Sequence, residues 1–173
     1  GLLYTLSTLI IKSTPSISFY FMEGLSHNEA AVGYFGAVAT LIYGYHLLTK
    51  PFESYLKPSI AELYHSNKID ELQMKINDVS RVRWVIIGSL TLFFLLQQDA
   101  LLLDYGESFV EASGPLALLA CFSCIQYLGQ PANEILNYTG NQGALSIIMT
   151  AQFILIAILC KLLIPIAGMW GAV

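Results

Sequence analysis

The sequence predicts an all-α fold: a polytopic bundle of transmembrane helices with five spans and the start of a sixth. Three observations carry that prediction. Only 12% of the 173 residues are charged, about half the ~25% usual in a soluble domain, which leaves too few solvated groups to cover a globule. Hydrophobic residues make up 55% of the chain and mean hydropathy is +0.63. The apolar residues also fall in blocks close to the ~20 that cross a bilayer.

The predicted spans are 2–22, 30–49, 84–103, 115–138 and 144–164, with a further one opening near Trp170. The chain starts inside an apolar stretch, with no initiator Met and no basic region ahead of it, and stops just after a turn. That predicts a fragment of a longer membrane protein without a signal peptide. Six of the eight Lys and Arg lie in 50–83 (Lys50, Lys57, Lys68, Lys75, Arg81 and Arg83). This excess predicts that 50–83 is a cytoplasmic loop. Alternation then puts the acidic connections 23–29 and 104–111 outside and the tight turn 139–143 in the cytoplasm. Lys161 near the outer end of the fifth span can snorkel.

The 50–83 segment carries its own pattern. Ile60, Leu63, Tyr64, Leu72, Ile76 and Val79 recur at roughly helical intervals among charged residues. They predict either an amphipathic helix on the membrane surface or an extension of the second span. Pro51 and Pro58 favour bends at that junction.

Two spans have polar faces. In the first, Thr5, Thr8, Lys12 and Ser16 are spaced by three, four and four, which places them on one side of a helix. A charge near mid-span costs at least ~2.5–3.5 kcal/mol, so Lys12 is expected to face a cavity or an acidic partner. Pro15 nearby allows bending. In the fourth span, Ser123, Gln126, Gln130, Asn133 and Asn137 form a second polar face, with Glu134 beside it and Pro131 interrupting the backbone. Amides suit sugar hydroxyls in a wet groove; equally, they serve as links between helices. Glu134 reads as an ion-coupling carboxylate or as the partner of Lys12.

The remaining signals are weak. Thr40, Tyr43, His46 and Lys50 lie near one face of the second span, where Gly33, Gly36 and Gly44 permit close packing. Cys121 and Cys124 have redox spacing but sit in an apolar run, which points to helix packing. Asn137-Tyr138-Thr139 matches a glycosylation sequon at a predicted cytoplasmic end. No phosphate loop, zinc spacing or nucleophile elbow is present, and the basic residues are too few for nucleic-acid binding.

Three stretches together resemble a known family. Ala31-Val32-Gly33-Tyr34-Phe35 is one. The second is Lys57-Pro58-Ser59-Ile60-Ala61-Glu62-Leu63-Tyr64 followed by Asn67-Lys68-Ile69-Asp70-Glu71-Leu72. The third is Tyr138-Thr139-Gly140-Asn141 with Ile164-Pro165-Ile166-Ala167-Gly168-Met169-Trp170-Gly171-Ala172. In order and spacing they resemble the polysaccharide-biosynthesis flippases, the O-antigen or Wzx-type transporters of the multidrug/oligosaccharidyl-lipid/polysaccharide superfamily.

The resemblance implies spans seven to eleven of a roughly twelve-span protein of the bacterial inner (cytoplasmic) membrane. It implies one lobe of a two-lobe transporter around a V-shaped cavity, with alternating access driven by an ion gradient. The expected substrate is a polyprenyl-diphosphate-linked oligosaccharide. From the two polar faces, Lys12, with Ser16 on the same side of the pathway, would attract the diphosphate, and the face of Ser123, Gln126, Gln130, Asn133 and Asn137 would touch the sugars. Pro15 and Pro131 would let the helices bend. An acidic residue that some relatives carry on the first span of this lobe is not evident here, which leaves proton and sodium open as coupling ion. Membrane lipids are the other expected partners, and no cofactor or enzymatic activity is expected. Other readings are a multidrug or cation antiporter of the same superfamily, a membrane enzyme acting on polyprenyl-linked sugars, and a scaffold. Lys12 argues against the antiporter, and the short outer connections argue against the enzyme.

Overall fold

The computed structural model describes residues 18–24 and 29–172. These residues are almost wholly helical and contain no β-strand. A short helical piece, α1 (18–24), precedes four long helices: α2 (Glu29–His65), α3 (Ile69–Leu103), α4 (Ser113–Tyr138) and α5 (Gln142–Ala167). Short 3-10 turns at Glu107–Ala112 and Gly168–Gly171 close the end of the bundle opposite the α2–α3 turn. Each of the four long helices is apolar enough to cross a membrane. The predicted first span lies mostly outside the described residues, and among the described residues four helices are long and apolar enough to cross a membrane, where five and the start of a sixth are expected over the whole chain.

The surface of the bundle is inside-out relative to a soluble protein. Leu47, Val85, Leu96, Ile125, Ile147 and Ile166 are exposed, while Thr49, Glu53, Ser59, Arg83, Ser123 and Ser146 are buried. Contiguous exposed apolar surface of this kind is stable against lipid and not against water.

Residues 50–83 follow the second of the two expectations, an extension of the second span. They form the end of α2, a three-residue turn and the start of α3, with no separate surface helix. The reason lies in α2's inward stripe. Tyr45, Thr49, Glu53, Leu56 and Ile60 are all buried and spaced by four, four, three and four, the repeat of one helical face. Pro51 and Pro58 lie seven residues apart on the exposed side. The hydrogen bonds they remove therefore fall away from the packed stripe, and α2 continues through both. Asn67 then ends the helix in a left-handed conformation (φ 59°). Lys68 N–H donates to the Leu63 carbonyl at 2.9 Å and Asn67 N–H to the Tyr64 carbonyl at 3.1 Å, the paired closure of a helix C-terminus.

Packing is layered along the bundle. Ala37, Val38, Leu102, Ala112 and Leu116 fill one layer far from the α2–α3 turn. Tyr45, Ile87, Phe94 and Ala120 fill the next. Leu56, Ile60 and Leu72 form the last, with Ile135 and Tyr138 against them. Met22, Phe35, Cys160, Ile164 and Ala172 join α1, α2 and α5. Between the Tyr45 layer and the Leu56 layer the three central helices meet through charged and amide side chains.

Candidate functional site

Each of those three helices brings polar residues to this gap on its inward stripe. Helix α2 supplies Glu53 and, one turn on, Lys57. Helix α3 supplies Arg83, which stands in the row Leu72, Ile76, Val79, Arg83, Ile87, Leu90, Phe94, a spacing of four, three, four, four, three and four. Helix α4 supplies Gln130 and Glu134.

Arg83 is 1% exposed. Its Nη2 donates to the Tyr127 carbonyl and to Gln130 Oε1 at 3.0 Å. Gln130 Nε2 donates onward to Glu53 Oε1. Lys57 Nζ stands 3.4 Å from Glu53 Oε2 and 3.6 Å from Glu134 Oε1. One amide thus links a buried cation to a buried carboxylate, and one ammonium is shared by two carboxylates. Formal charge balances: Glu53 and Glu134 against Lys57 and Arg83.

The balance is local but the pairing is incomplete. Arg83 Nε, Arg83 Nη1 and Glu134 Oε2 are buried without a hydrogen-bond partner among the described residues. Arg83 also has no carboxylate within ion-pair distance among them. Both Glu53 oxygens are engaged, whereas Glu134 has one engaged and one bare.

An aromatic layer caps the cluster toward the middle of the bundle. The Tyr45 and Tyr127 rings stack at 5.5 Å and 8°, and Phe94 lies 5.6 Å from Tyr45. The Tyr45 hydroxyl pairs with Thr91 Oγ1 at 2.7 Å and donates to the Ala120 carbonyl at 3.3 Å. Glu53 and Lys57 lie four and eight residues past the predicted span 30–49, about 6 and 12 Å along the helix axis. The cluster therefore sits toward the edge of the apolar layer, on the side of the α2–α3 turn.

The predicted polar face of α4 divides in two. Ser123 is buried, and Gln130 and Glu134 turn into the cluster. The Glu134 ion-pair partner in the structure is Lys57. Pro131 is buried inside α4, which runs unbroken through it. Gln126 is exposed, and Asn133 and Asn137 are half-buried. The last three lie within about 40° of arc on the flank of α4, roughly a quarter turn from its packed face. Lys12, Pro15 and Ser16 lie outside the described residues. Glu53, Lys57 and Arg83 are absent from the residues selected on sequence. Their signal is charge placed on an apolar stripe.

Comparison with protein-family models, with curated proteins and with solved structures returns no match for this chain.

Proposed function

We propose that the chain is one lobe of a membrane transporter that moves a polyprenyl-diphosphate-linked oligosaccharide across the bacterial cytoplasmic membrane by alternating access. The motif order set out above supports the substrate class. The observation that carries a transport path is the flank of α4. Gln126, Asn133 and Asn137 share one side of α4; Gln126 is exposed at the middle of the predicted span 115–138, and the two asparagines are half-buried nearer its end. Amides turned to hydrocarbon leave donors and acceptors unmet, so this flank belongs beside water, substrate or a second lobe. Lys12 on the first span would attract the diphosphate.

Replacing Lys12 with Ala in the intact protein and measuring surface polysaccharide tests the reading. Export is expected to fall; undiminished export removes Lys12 from the path. One observation favours the cation-antiporter reading instead: two carboxylates, Glu53 and Glu134, lie inside the bundle. Proteoliposomes separate the two readings, because the flippase moves lipid-linked sugar and the antiporter moves a cationic drug.

A further inference from the structure

The charge cluster contains more than a structural ion pair needs. Two carboxylates share one ammonium, and three buried polar atoms lack partners. We propose that the cluster is a proton-binding site at which Glu134 takes one proton from the solution at the α2–α3 turn, so that Lys57 is released from α4.

The choice of Glu134 over Glu53 follows from contacts. Glu53 receives Gln130 Nε2 on one oxygen and Lys57 Nζ on the other, so neither of its oxygens is left without a contact. Glu134 has a single, longer ion pair at 3.6 Å, and its second oxygen is bare. The charged groups facing Glu134 are Glu53 and Lys57 from α2 and Arg83 from α3. Helix α5 holds a single charged residue, Lys161, at its far end.

The nature of the ion follows from the company it would keep. A sodium ion needs several oxygen ligands and would enter beside Lys57 and Arg83, two fixed cations. No group of three or more His, Cys, Asp or Glu is gathered to hold a metal among the described residues. A proton needs one oxygen and cancels one charge. The step balances simply. Water delivers H⁺, the Glu134 carboxylate becomes a carboxylic acid, and the ion pair between Lys57 and Glu134 is lost. Lys57 stays charged and paired with Glu53. The Glu53–Gln130–Arg83 chain remains, so the Lys57–Glu134 link between α2 and α4 opens while the Glu53–Gln130 link holds. The partly exposed Lys57 side chain marks the entry.

Proton uptake here stands apart from the transport reading; only its use as the coupling step depends on it. The test is difference infrared spectroscopy of the full-length protein in lipid, titrated with acid. A protonated-carboxyl band is expected that Glu134→Gln removes and Glu53→Gln retains, and that added sodium at fixed pH leaves in place. Lys57→Met should move the midpoint of that band to higher pH by about one unit or more, since the ammonium favouring the ionised form is gone. A band surviving Glu134→Gln, a band displaced by sodium, or a midpoint unmoved by Lys57→Met overturns the proposal. If Glu134→Gln does not fold, Glu53→Gln and Lys57→Met decide together: the band must survive the first and shift its midpoint in the second, and loss of the band in Glu53→Gln overturns the assignment to Glu134. A titrating band together with full polysaccharide export in Lys12→Ala keeps the proton site while removing Lys12 from the path.

Discussion

Arg83 and Gln130 meet at 3.0 Å across the contact between α3 and α4, and Gln130 passes that contact on to Glu53 of α2. A single amide therefore orients three helices. It accepts from the guanidinium with its oxygen and donates to the carboxylate with its nitrogen, so its orientation is fixed by its neighbours.

Gln130→Leu should cost about 1.5–3 kcal/mol of stability, because it strips hydrogen bonds from two buried charged groups at once. Equilibrium unfolding in lipid or mild detergent measures this. A loss near zero would mean that water replaces the amide fully.

Arg83→Met should cost more, about 3–5 kcal/mol, since it leaves two buried carboxylates on one ammonium. Adding Glu134→Gln to Arg83→Met restores neutrality. The double variant should therefore be more stable than the sum of the two single losses. Strict additivity would show that Arg83 and Glu134 do not interact.

Tyr45→Phe keeps the ring stack on Tyr127 and removes the hydroxyl between Thr91 and the Ala120 carbonyl. Thr91 retains its bond to the Ile87 carbonyl at 2.8 Å. The expected loss is about 0.5–1.5 kcal/mol, read as a small drop in melting temperature with helix content unchanged.

Gly171→Ala and Gly114→Ala should differ. A methyl at Gly171 would lie 2.4 Å from the Leu163 carbonyl carbon and oxygen, which are backbone. A methyl at Gly114 would lie 2.6 Å from the Trp170 ring, a side chain that is largely exposed and has room to swing. The first variant should lose about 1–3 kcal/mol and the second less. Equal losses would mean that Trp170 is held as firmly as backbone.

The α4 flank makes a prediction about solvent. In a background free of native cysteines, Gln126→Cys should react with a charged maleimide at least about ten-fold faster than Cys121 restored alone; a tenfold rate corresponds to ~1.4 kcal/mol. Both positions are exposed, but Cys121 lies about 140° round α4 from Gln126. Matching rates would mean that Gln126 is no wetter than Cys121 and remove the support that α4 gives to a transport path.

The apolar blocks are legible in the sequence because a crossing helix is a matter of length and hydropathy, and 84–103, 115–138 and 144–164 lie within α3, α4 and α5. Residues 50–83 are harder. Charge counting marks them as a loop, and Pro51 and Pro58 reinforce that reading. Yet the stripe of Tyr45, Thr49, Glu53, Leu56 and Ile60 crosses the supposed boundary without losing phase. Arg83 shows the same difficulty. It counts as one more basic residue in a topology argument, and only its place between Val79 and Ile87 shows that it points inward. Glu134 is visible as an odd carboxylate in a span. That its ion-pair partner is Lys57, seventy-seven residues earlier, follows from the α2–α3 hairpin folding back along α4, which no local pattern encodes. The face of α4 is half legible: Ser123 and Gln130 mark its packed side, while Gln126 and Asn133 belong to the flank.

The position of the cluster beyond the Tyr45–Tyr127 layer has an electrical consequence. A membrane potential falls across the apolar layer and is worth ~2.3 kcal/mol per elementary charge per 100 mV over the full thickness. A charge that reaches Glu134 from the α2–α3 side has crossed only a small part of that drop. Occupancy of the site is then governed by the acidity of the adjoining solution and is nearly blind to voltage, whereas the same carboxylate at mid-span would feel about half the field. With a proton bound as proposed, the cluster behind the stacked tyrosines would answer to the composition on one side of the membrane.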